Sequence, residues 1–236
     1  MRRRGWVLLI ASGLIPVLGL VHTPPDPMLL IYSVFVLACL FRRRLAGWSD
    51  RLSWPPAVSL LIFFWFSGCL TETLAWLNNY ANTAPEPALF HPQLIPDLIL
   101  GLGFYGGWAV AWWLGFRWFR FNLAETFLIT GIQGIFFEQF GAVFVRMVRL
   151  LPTNPLLSLL MGLYVFAVHG SAVGLAMVPV VHRLGERSRS RNPIRLLIVC
   201  LLMVVLSIVG AQLVSLIALG FGGLPPKRSI VEHPLW

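Results

Sequence analysis

Residues 195–220 read RLLIVCLLMVVLSIVGAQLVSLIALG and contain no acidic or basic side chain after Arg195. A helix of about 20 apolar residues, rising about 1.5 Å per residue, is long enough to cross the hydrocarbon layer of a bilayer. This stretch exceeds that length and offers no polar face to water. It therefore predicts a transmembrane helix. The other apolar runs of the chain are then candidates for further transmembrane helices.

The composition of the whole chain agrees with that setting. Of the 236 residues, 58% are hydrophobic and 11% are charged, whereas a soluble domain carries about 25% charged residues. The net charge is +9, but the basic residues stand in short clusters between apolar runs. A nucleic-acid-binding face would need them on one water-facing surface. We therefore expect an all-α, polytopic transmembrane helical bundle that has no nucleic-acid partner.

The chain forms one predicted membrane domain over residues 1–236, with about seven spans and a short tail over 221–236. The predicted spans are approximately 6–22, 28–41, 57–76, 94–116, 123–146, 155–181 and 195–220. Five of them reach the length of about 20 residues that a crossing needs. The first two are shorter, so 28–41 is either a span or an interfacial segment paired with the first run.

Basic residues divide unevenly between the two sides of such an alternating bundle. Fourteen of the eighteen lie in segments on the side of the N-terminus, and four lie on the other side. Because Lys and Arg are concentrated in cytoplasmic loops, the pattern predicts a cytoplasmic N-terminus and an outer C-terminus. The start Met-Arg-Arg-Arg followed by an apolar stretch predicts a retained signal anchor. We expect the bacterial cytoplasmic (inner) membrane as the location.

Four ionisable side chains inside the predicted spans indicate a functional site. Such groups cost about 2.5–3.5 kcal/mol each on insertion scales, so they usually face the interior of a bundle. Glu72 and Asp97 lie near the outer ends of spans three and four, and Glu138 and His169 lie deeper in spans five and six. We expect one cavity open to the outer side. Glu138 is the predicted catalytic acid or base, His169 its helper, and Glu72 or Asp97 would orient it.

Further polar residues are predicted to bind the substrate in this site. Gln133 accompanies Glu138 in the fifth span. The outer loop 77–93 carries Asn78, Asn79 and His91, which would face the cavity if the loop caps it. A plain connecting loop is the alternative reading of the same stretch.

Arg146 and Arg149 are the only outer charges directly beside a predicted span. They stand one helical turn apart and continue the face of Glu138. From there they would pair with Glu72 or Asp97, or bind the phosphate of a lipid. Simple anchoring at the membrane interface is the alternative.

The sequence lacks the common signatures of metal and nucleotide chemistry. Cys39, Cys69 and Cys200 lie far apart inside apolar runs and form no C-x-x-C pair, so we read them as buried apolar residues. The chain contains no P-loop, H-E-x-x-H, G-x-S-x-G or aspartate-rich diphosphate motif. We expect no metal and no cofactor, and no nucleotide-driven transport within this chain.

One motif resembles a known intramembrane protease and is excluded by its chemistry. Gly131-Ile132-Gln133-Gly134, followed by His169-Gly170, is similar to the G-x-S-G and later His-Gly of rhomboid proteases. Gln133 stands at the position of the nucleophile, and an amide cannot attack a peptide bond. The chain is therefore not assigned to that family.

Three functions remain open on the sequence. The first is an intramembrane acid–base enzyme acting on a lipid or isoprenoid substrate. The second is a non-catalytic membrane subunit or assembly factor that binds a membrane-protein partner through Gly-rich helix faces, such as Gly131, Gly134 and Gly141. The third is a small proton-coupled carrier, which is less favoured because the chain shows no internal repeat. Membrane lipids are the expected surroundings in each case.

Overall fold

A computed structural model of the chain describes residues 3–21, 23, 25–185 and 193–236. Within these ranges the regular structure is helical throughout, and no strand occurs. The helices are α1 (Arg3–Leu18), α2 (Leu30–Leu40), α3 (Arg42–Arg51), α4 (Pro56–Ala81), α5 (Leu94–Phe119), α6 (Leu123–Phe137), α7 (Ala142–Leu150), α8 (Pro155–Met177) and α9 (Ile194–Gly220). A 3-10 turn over Glu138–Gly141 joins α6 to α7. Arg2, Arg187, Arg189 and Arg191, which are among the basic residues of the predicted cytoplasmic side, lie outside the described residues.

Among the described residues, five helical segments are long and apolar enough to cross a membrane. They are α4, α5, the α6–α7 segment over Leu123–Leu150, α8 and α9. These five fit an integral membrane protein, and they coincide with the five long predicted spans. The two remaining apolar helices, α1 and α2, have 16 and 11 residues, which is short of the roughly 20 that a straight crossing needs. The count of about seven crossings therefore stays a prediction.

The starts of the long helices follow from their sequences. Pro56 and Pro155 occupy the first turns of α4 and α8, where a missing N–H costs no helical hydrogen bond. The side chain of Asn154 caps α8. Asn122 and Glu125 form a reciprocal capping box at the start of α6, which satisfies backbone donors that the helix itself cannot pair.

The two short helices form an antiparallel hairpin against the bundle. Ser12 Oγ lies 2.9 Å from Tyr32 Oη, and Ser33 Oγ donates a 2.6 Å hydrogen bond to the carbonyl of Gly13. The ring of Phe35 packs on Gly174 and so fixes α2 along α8. This pairing of the first two runs is compatible with both predicted alternatives, two crossings or an interfacial hairpin.

Glycines allow the closest helix contacts, and these contacts are internal. A Cβ atom on Gly103 would overlap the carbonyl of Gly210, and one on Gly107 would overlap the carbonyl of Leu206, so α5 and α9 touch backbone to backbone. Similarly, Gly131 of α6 packs against Phe166 of α8. Gly131 and Gly134 of the face that the sequence offered as a partner surface are therefore occupied inside this chain, whereas Gly141 contacts only its own turn.

Arginines tie several connections together at one end of the bundle. Arg183 donates hydrogen bonds to the carbonyl of Ser49, at 3.1 Å, and to that of Trp54, at 2.6 Å. Arg195 pairs with Glu125 at 2.6 Å. The segments near residues 49–54, 125, 183 and 195 thus share one end, as an alternating topology requires. Which side of the membrane that end faces stays a prediction.

Candidate functional site

A break in the fifth predicted span shapes the site. Gln139 and Phe140 have φ values of 50° and 55°, and Gly141 has 88°. L-residues rarely adopt this left-handed region, and an α-helix cannot continue through it. The helix predicted over 123–146 is therefore interrupted, and Glu138 stands at the break rather than inside a regular helix. Irregular backbone at membrane depth is tolerated where it lines a cavity.

A cavity of about 580 Å³ lies beside this break, a size typical of small-molecule sites. Side chains from α4, α5, α6, the 3-10 turn, α8 and α9 form its wall. Six of the ten predicted site residues line it, namely Glu72, Asn78, Asn79, Gln133, Glu138 and His169. The other four, Asp97, His91, Arg146 and Arg149, are not part of its wall.

Glu138 and His169 are in direct contact within this cavity. Glu138 Oε2 lies 3.1 Å from His169 Nε2, and His169 Nδ1 lies 3.2 Å from the carbonyl oxygen of Val165. A carbonyl only accepts, so Nδ1 carries a hydrogen and donates. A contact between Nε2 and the carboxyl then needs one further proton, held by either partner. Glu138 and His169 therefore share one proton, which can pass from one side chain to the other.

Depth and packing hold this pair inside the bundle. His169 is fourteen residues from the start of α8, which corresponds to about 21 Å along the helix. A Cβ atom on Gly134 would overlap the His169 ring, so the ring reaches Glu138 only because residue 134 has no side chain. The second glycine of the predicted face thus positions the imidazole.

Glu72 faces the same cavity from α4. Its side chain is 9% exposed, and Tyr105 Oη donates a 2.8 Å hydrogen bond to its Oε1. Gly68, one turn before Glu72, makes room for the Tyr105 ring, because a Cβ there would overlap it. Tyr105 was missed in the sequence, where an aromatic residue in a long apolar run carries no distinguishing signal.

Asp97 lies behind Glu72 and does not reach the cavity wall. It is fully buried, and its Oδ1 accepts a 3.0 Å hydrogen bond from the backbone N–H of His91. Its Oδ2 has no hydrogen-bond partner within the described residues. The carboxyl of Asp97 is close enough to that of Glu72 for the two to interact. Asp97 therefore fastens the loop before α5 and places a second carboxyl next to Glu72.

His91 points away from the cavity, toward the C-terminal tail. Its side chain is 3% exposed. Its Nδ1 accepts a 3.2 Å hydrogen bond from the N–H of Gln93, and its Nε2 then donates at 3.0 Å to the carbonyl of Pro225. Burial, aided by the charge of Lys227, lowers the pKa of His91 below its ordinary value. A neutral imidazole is what both hydrogen bonds require.

The tail after α9 closes over this loop. Gln93 is fully buried and donates from Nε2 to the carbonyls of Arg228 and His233, at 3.1 and 2.9 Å. The carbonyl oxygens of Pro234 and Leu235 accept from the first N–H groups of α5, which have no partner inside the helix. A segment too short to fold alone is thus ordered by capping another helix.

The remaining predicted residues differ in position. Asn79 Oδ1 accepts from the N–H of Ala88 at 3.2 Å, which ties the loop to α4 at the cavity rim. Arg146 and Arg149 are exposed on α7. Neither forms an ion pair with Glu72 or Asp97 in the part of the chain that the structure describes. Their predicted interaction with lipid phosphate stays a prediction.

Two buried polar atoms in the cavity wall lack partners. Gln133 Oε1 and Trp108 Nε1 are inaccessible and form no hydrogen bond with any described residue. Leaving a buried donor or acceptor unpaired costs about 1–3 kcal/mol, so such groups need an explanation. Gln133 was predicted from the sequence, whereas Trp108 carried no signal there.

No protein-family model, curated protein or solved structure matches this chain. Among the described residues, no group of three or more His, Cys, Asp or Glu is arranged to hold a metal ion. The cavity and its carboxyl–imidazole pair are therefore the basis for a functional proposal.

Proposed function

We propose that this protein is an intramembrane acid–base enzyme that acts on a lipid substrate, with Glu138 as the acid or base. The observation that carries the proposal is the 3.1 Å contact between Glu138 and His169 in a cavity of a helical membrane bundle. Isoprenoid lipids belong to the same broad substrate class.

The contact supports proton transfer because each partner is held for it. The carbonyl of Val165 fixes the His169 ring through Nδ1, so Nε2 is directed at the carboxyl. A positioned pair of this kind can take a proton from a substrate O–H or N–H and return it later, an effect worth about 10²–10⁴ in rate. Glu72, fixed by Tyr105, would orient the substrate on the opposite wall.

The energetic cost of the site favours an enzyme over a purely structural subunit. Ionisable side chains in a membrane interior are expensive and usually serve a function. Here two of them meet, and a third faces the same cavity. Gly131 and Gly134, which a subunit would use for a partner, are already packed against α8 inside the chain. The carrier alternative lacks the internal repeat that many transporter folds show.

The membrane orientation belongs to the same proposal. The arginine-bearing connections meet at one end of the bundle, and we place that end in the cytoplasm, with the C-terminus outside. The membrane would be the cytoplasmic membrane of a bacterium.

The test replaces Glu138 in the intact protein. Cells producing equal amounts of the wild type, Glu138→Gln and Glu86→Gln are compared by mass spectrometry of their membrane lipids. Glu86 lies in the exposed loop after α4, so it controls for the same chemical change outside the cavity. The wild type should change the membrane lipids relative to those of cells that lack the protein. We expect this change to disappear in Glu138→Gln and to persist in Glu86→Gln. A Glu138→Gln profile identical to that of the wild type would contradict the proposal.

A further inference from the structure

The cavity wall includes exposed residues of α9 and of the chain around the 3-10 turn, and these two elements leave a gap between them. On one side its wall consists of Val204, Ser207 and Ile208 of α9, and on the other of Phe137 and Phe140. Ile208 is 48% exposed, Phe137 49% and Phe140 98%. The helix α9 packs along α5 and makes little contact with α6. In a bilayer this gap faces acyl chains rather than water, and its edges are apolar.

The charge of the wall restricts what can bind inside. Its acidic groups are Glu72 and Glu138, and no Lys or Arg lines it in the described part of the chain. Proteins bind phosphate and carboxylate groups with Arg or Lys. An anionic headgroup would meet two carboxyls and only one basic group, His169. The wall therefore disfavours phosphates, diphosphates and free fatty acids.

The polar atoms of the wall mainly accept hydrogen bonds. The carboxyls of Glu72 and Glu138 offer acceptor positions to the cavity. Gln133 Oε1 and Trp108 Nε1, which have no partner among the described residues, are closed off from the cavity as their side chains now lie. A ligand that donates hydrogen bonds therefore fits the two carboxyls, and it would also pair with the Gln133 amide if that side chain turned toward the cavity.

From these features we propose that the ligand is a membrane amphiphile whose polar end is a hydroxyl or amino group without negative charge. It enters sideways between α9 and the Glu138–Gly141 turn. Its polar end lies among Gln133, Glu138 and His169, and its chain leaves past Ile208 into the bilayer. This substrate class rests on the proposed function, since it specifies what the acid–base pair acts on.

The test uses four hexadecyl probes that carry a photoreactive diazirine in the chain and differ only in the end group: amine, alcohol, carboxylate or phosphate. The full-length protein in lipid nanodiscs is irradiated with each probe, and the labelled residues are located by mass spectrometry. We expect the amine and alcohol to label residues around Ile208 and Phe137. The anionic probes should label these positions about tenfold less, which corresponds to about 1.4 kcal/mol of unfavourable charge.

Matched variants separate the proposed opening from general lipid contact. Ile208→Trp narrows the gap, whereas Val205→Trp places the same ring on α9 at a residue that is 55% exposed and does not line the cavity. We expect labelling at Phe137 to fall severalfold in Ile208→Trp and to be unchanged in Val205→Trp. Ile208→Phe gives a milder narrowing should the tryptophan variant fail to purify as a single species.

The outcomes distinguish this inference from the proposed function. Equal labelling by the phosphate or carboxylate probe, or equal effects of the two tryptophan variants, overturns the ligand class or the route. Suppose that Glu138→Gln loses the lipid change but the wild type is labelled best by the anionic probes. The enzyme proposal would then stand, and the inferred ligand class would be wrong. The expected labelling combined with an unchanged Glu138→Gln lipid profile would leave a binding site without the proposed catalysis.

Discussion

At the scale of single residues, the site depends on the absence of one side chain. Gly134 packs directly beneath the His169 imidazole, and any Cβ there would overlap the ring. The sequence marks Gly134 only as part of a helix-packing face. Gly134 also leaves the space through which His169 reaches Glu138. This role depends on the rotamer of His169, which lies thirty-five positions further along the chain.

Gly134→Ala should therefore disturb both stability and the site. Overpacking a tight contact costs about 1–3 kcal/mol, so we expect a lower thermal unfolding midpoint in detergent and loss of the lipid difference caused by the wild type. Gly106→Ala is the matched control, because the nearest atom to its Cβ would lie at an ordinary 3.4 Å. If Gly134→Ala and Gly106→Ala unfold at the same temperature, the close contact of Gly134 with His169 is not tight in the protein.

His91 provides a second case in which chemistry follows from neighbours that are distant in sequence. The folded state favours the neutral ring, so its pKa lies below the ordinary value of 6.5. Above that value the ring is neutral in both folded and unfolded states, and it adds no pH dependence. As the pH falls through 6.5, only the released ring takes up a proton, so docking of the tail becomes progressively weaker.

Hydrogen exchange of the tail can measure this linkage. We expect the backbone amides of residues 224–236 to be less protected at about pH 5.5 than at about pH 7.5, after correction for intrinsic exchange rates. His91→Gln should remove most of the difference, whereas His233→Gln, at an exposed side chain, should preserve it. Equal loss in both variants would assign the pH dependence to another group.

At the scale of elements, the fifth predicted span differs most from expectation. The apolar composition of 123–146 predicts a continuous helix, and hydropathy cannot detect the left-handed residues Gln139 and Phe140 that interrupt it. The break moves Glu138 from a helix face to a cavity wall and leaves Phe140 almost fully exposed. An irregular element is thus the source of both the contact between Glu138 and His169 and the exposed cavity edge at Phe140.

The tail is the other element that composition could not place. Residues 221–236 hold too few apolar side chains to form a core, but their carbonyls supply hydrogen-bond acceptors. Gln93 and the first N–H groups of α5 use them. Such pairing depends on the ends of α5 and α9 lying together, and the glycines that bring these two helices into contact decide that arrangement.

At the scale of the whole molecule, the arginine distribution predicts a topology that the fold permits. Connections rich in arginine meet at one end, where Arg183 bonds to Ser49 and Arg195 pairs with Glu125. The contact between Arg183 and Ser49 places the segments near residues 49 and 183 at the same end of the bundle. These two segments therefore cannot face opposite sides of a membrane.

Reporter fusions should confirm a cytoplasmic arginine-rich end. We expect a fusion at residue 185 to give a fluorescent cytoplasmic reporter and inactive alkaline phosphatase, and a fusion at residue 236 to give the reverse, because arginine clusters are retained on the cytoplasmic side. Phosphatase activity at residue 185 would contradict the predicted orientation.

The sequence by itself determined the class of fold, the bounds of four long helices and the outer bounds of the interrupted fifth segment to within a few residues. It could do so because the length of apolar chain needed to cross a bilayer is a local property. It also singled out Glu72, Gln133, Glu138 and His169, which line one cavity, because polar groups in apolar runs are costly wherever they occur. Only the tertiary structure decided that Glu138 meets His169, that Asp97 and His91 lie behind the cavity, and that Tyr105 and Trp108 help to form it. Those outcomes depend on a helix break and on helix pairings chosen by glycine contacts, which join residues far apart in the chain and leave no pattern in any single segment.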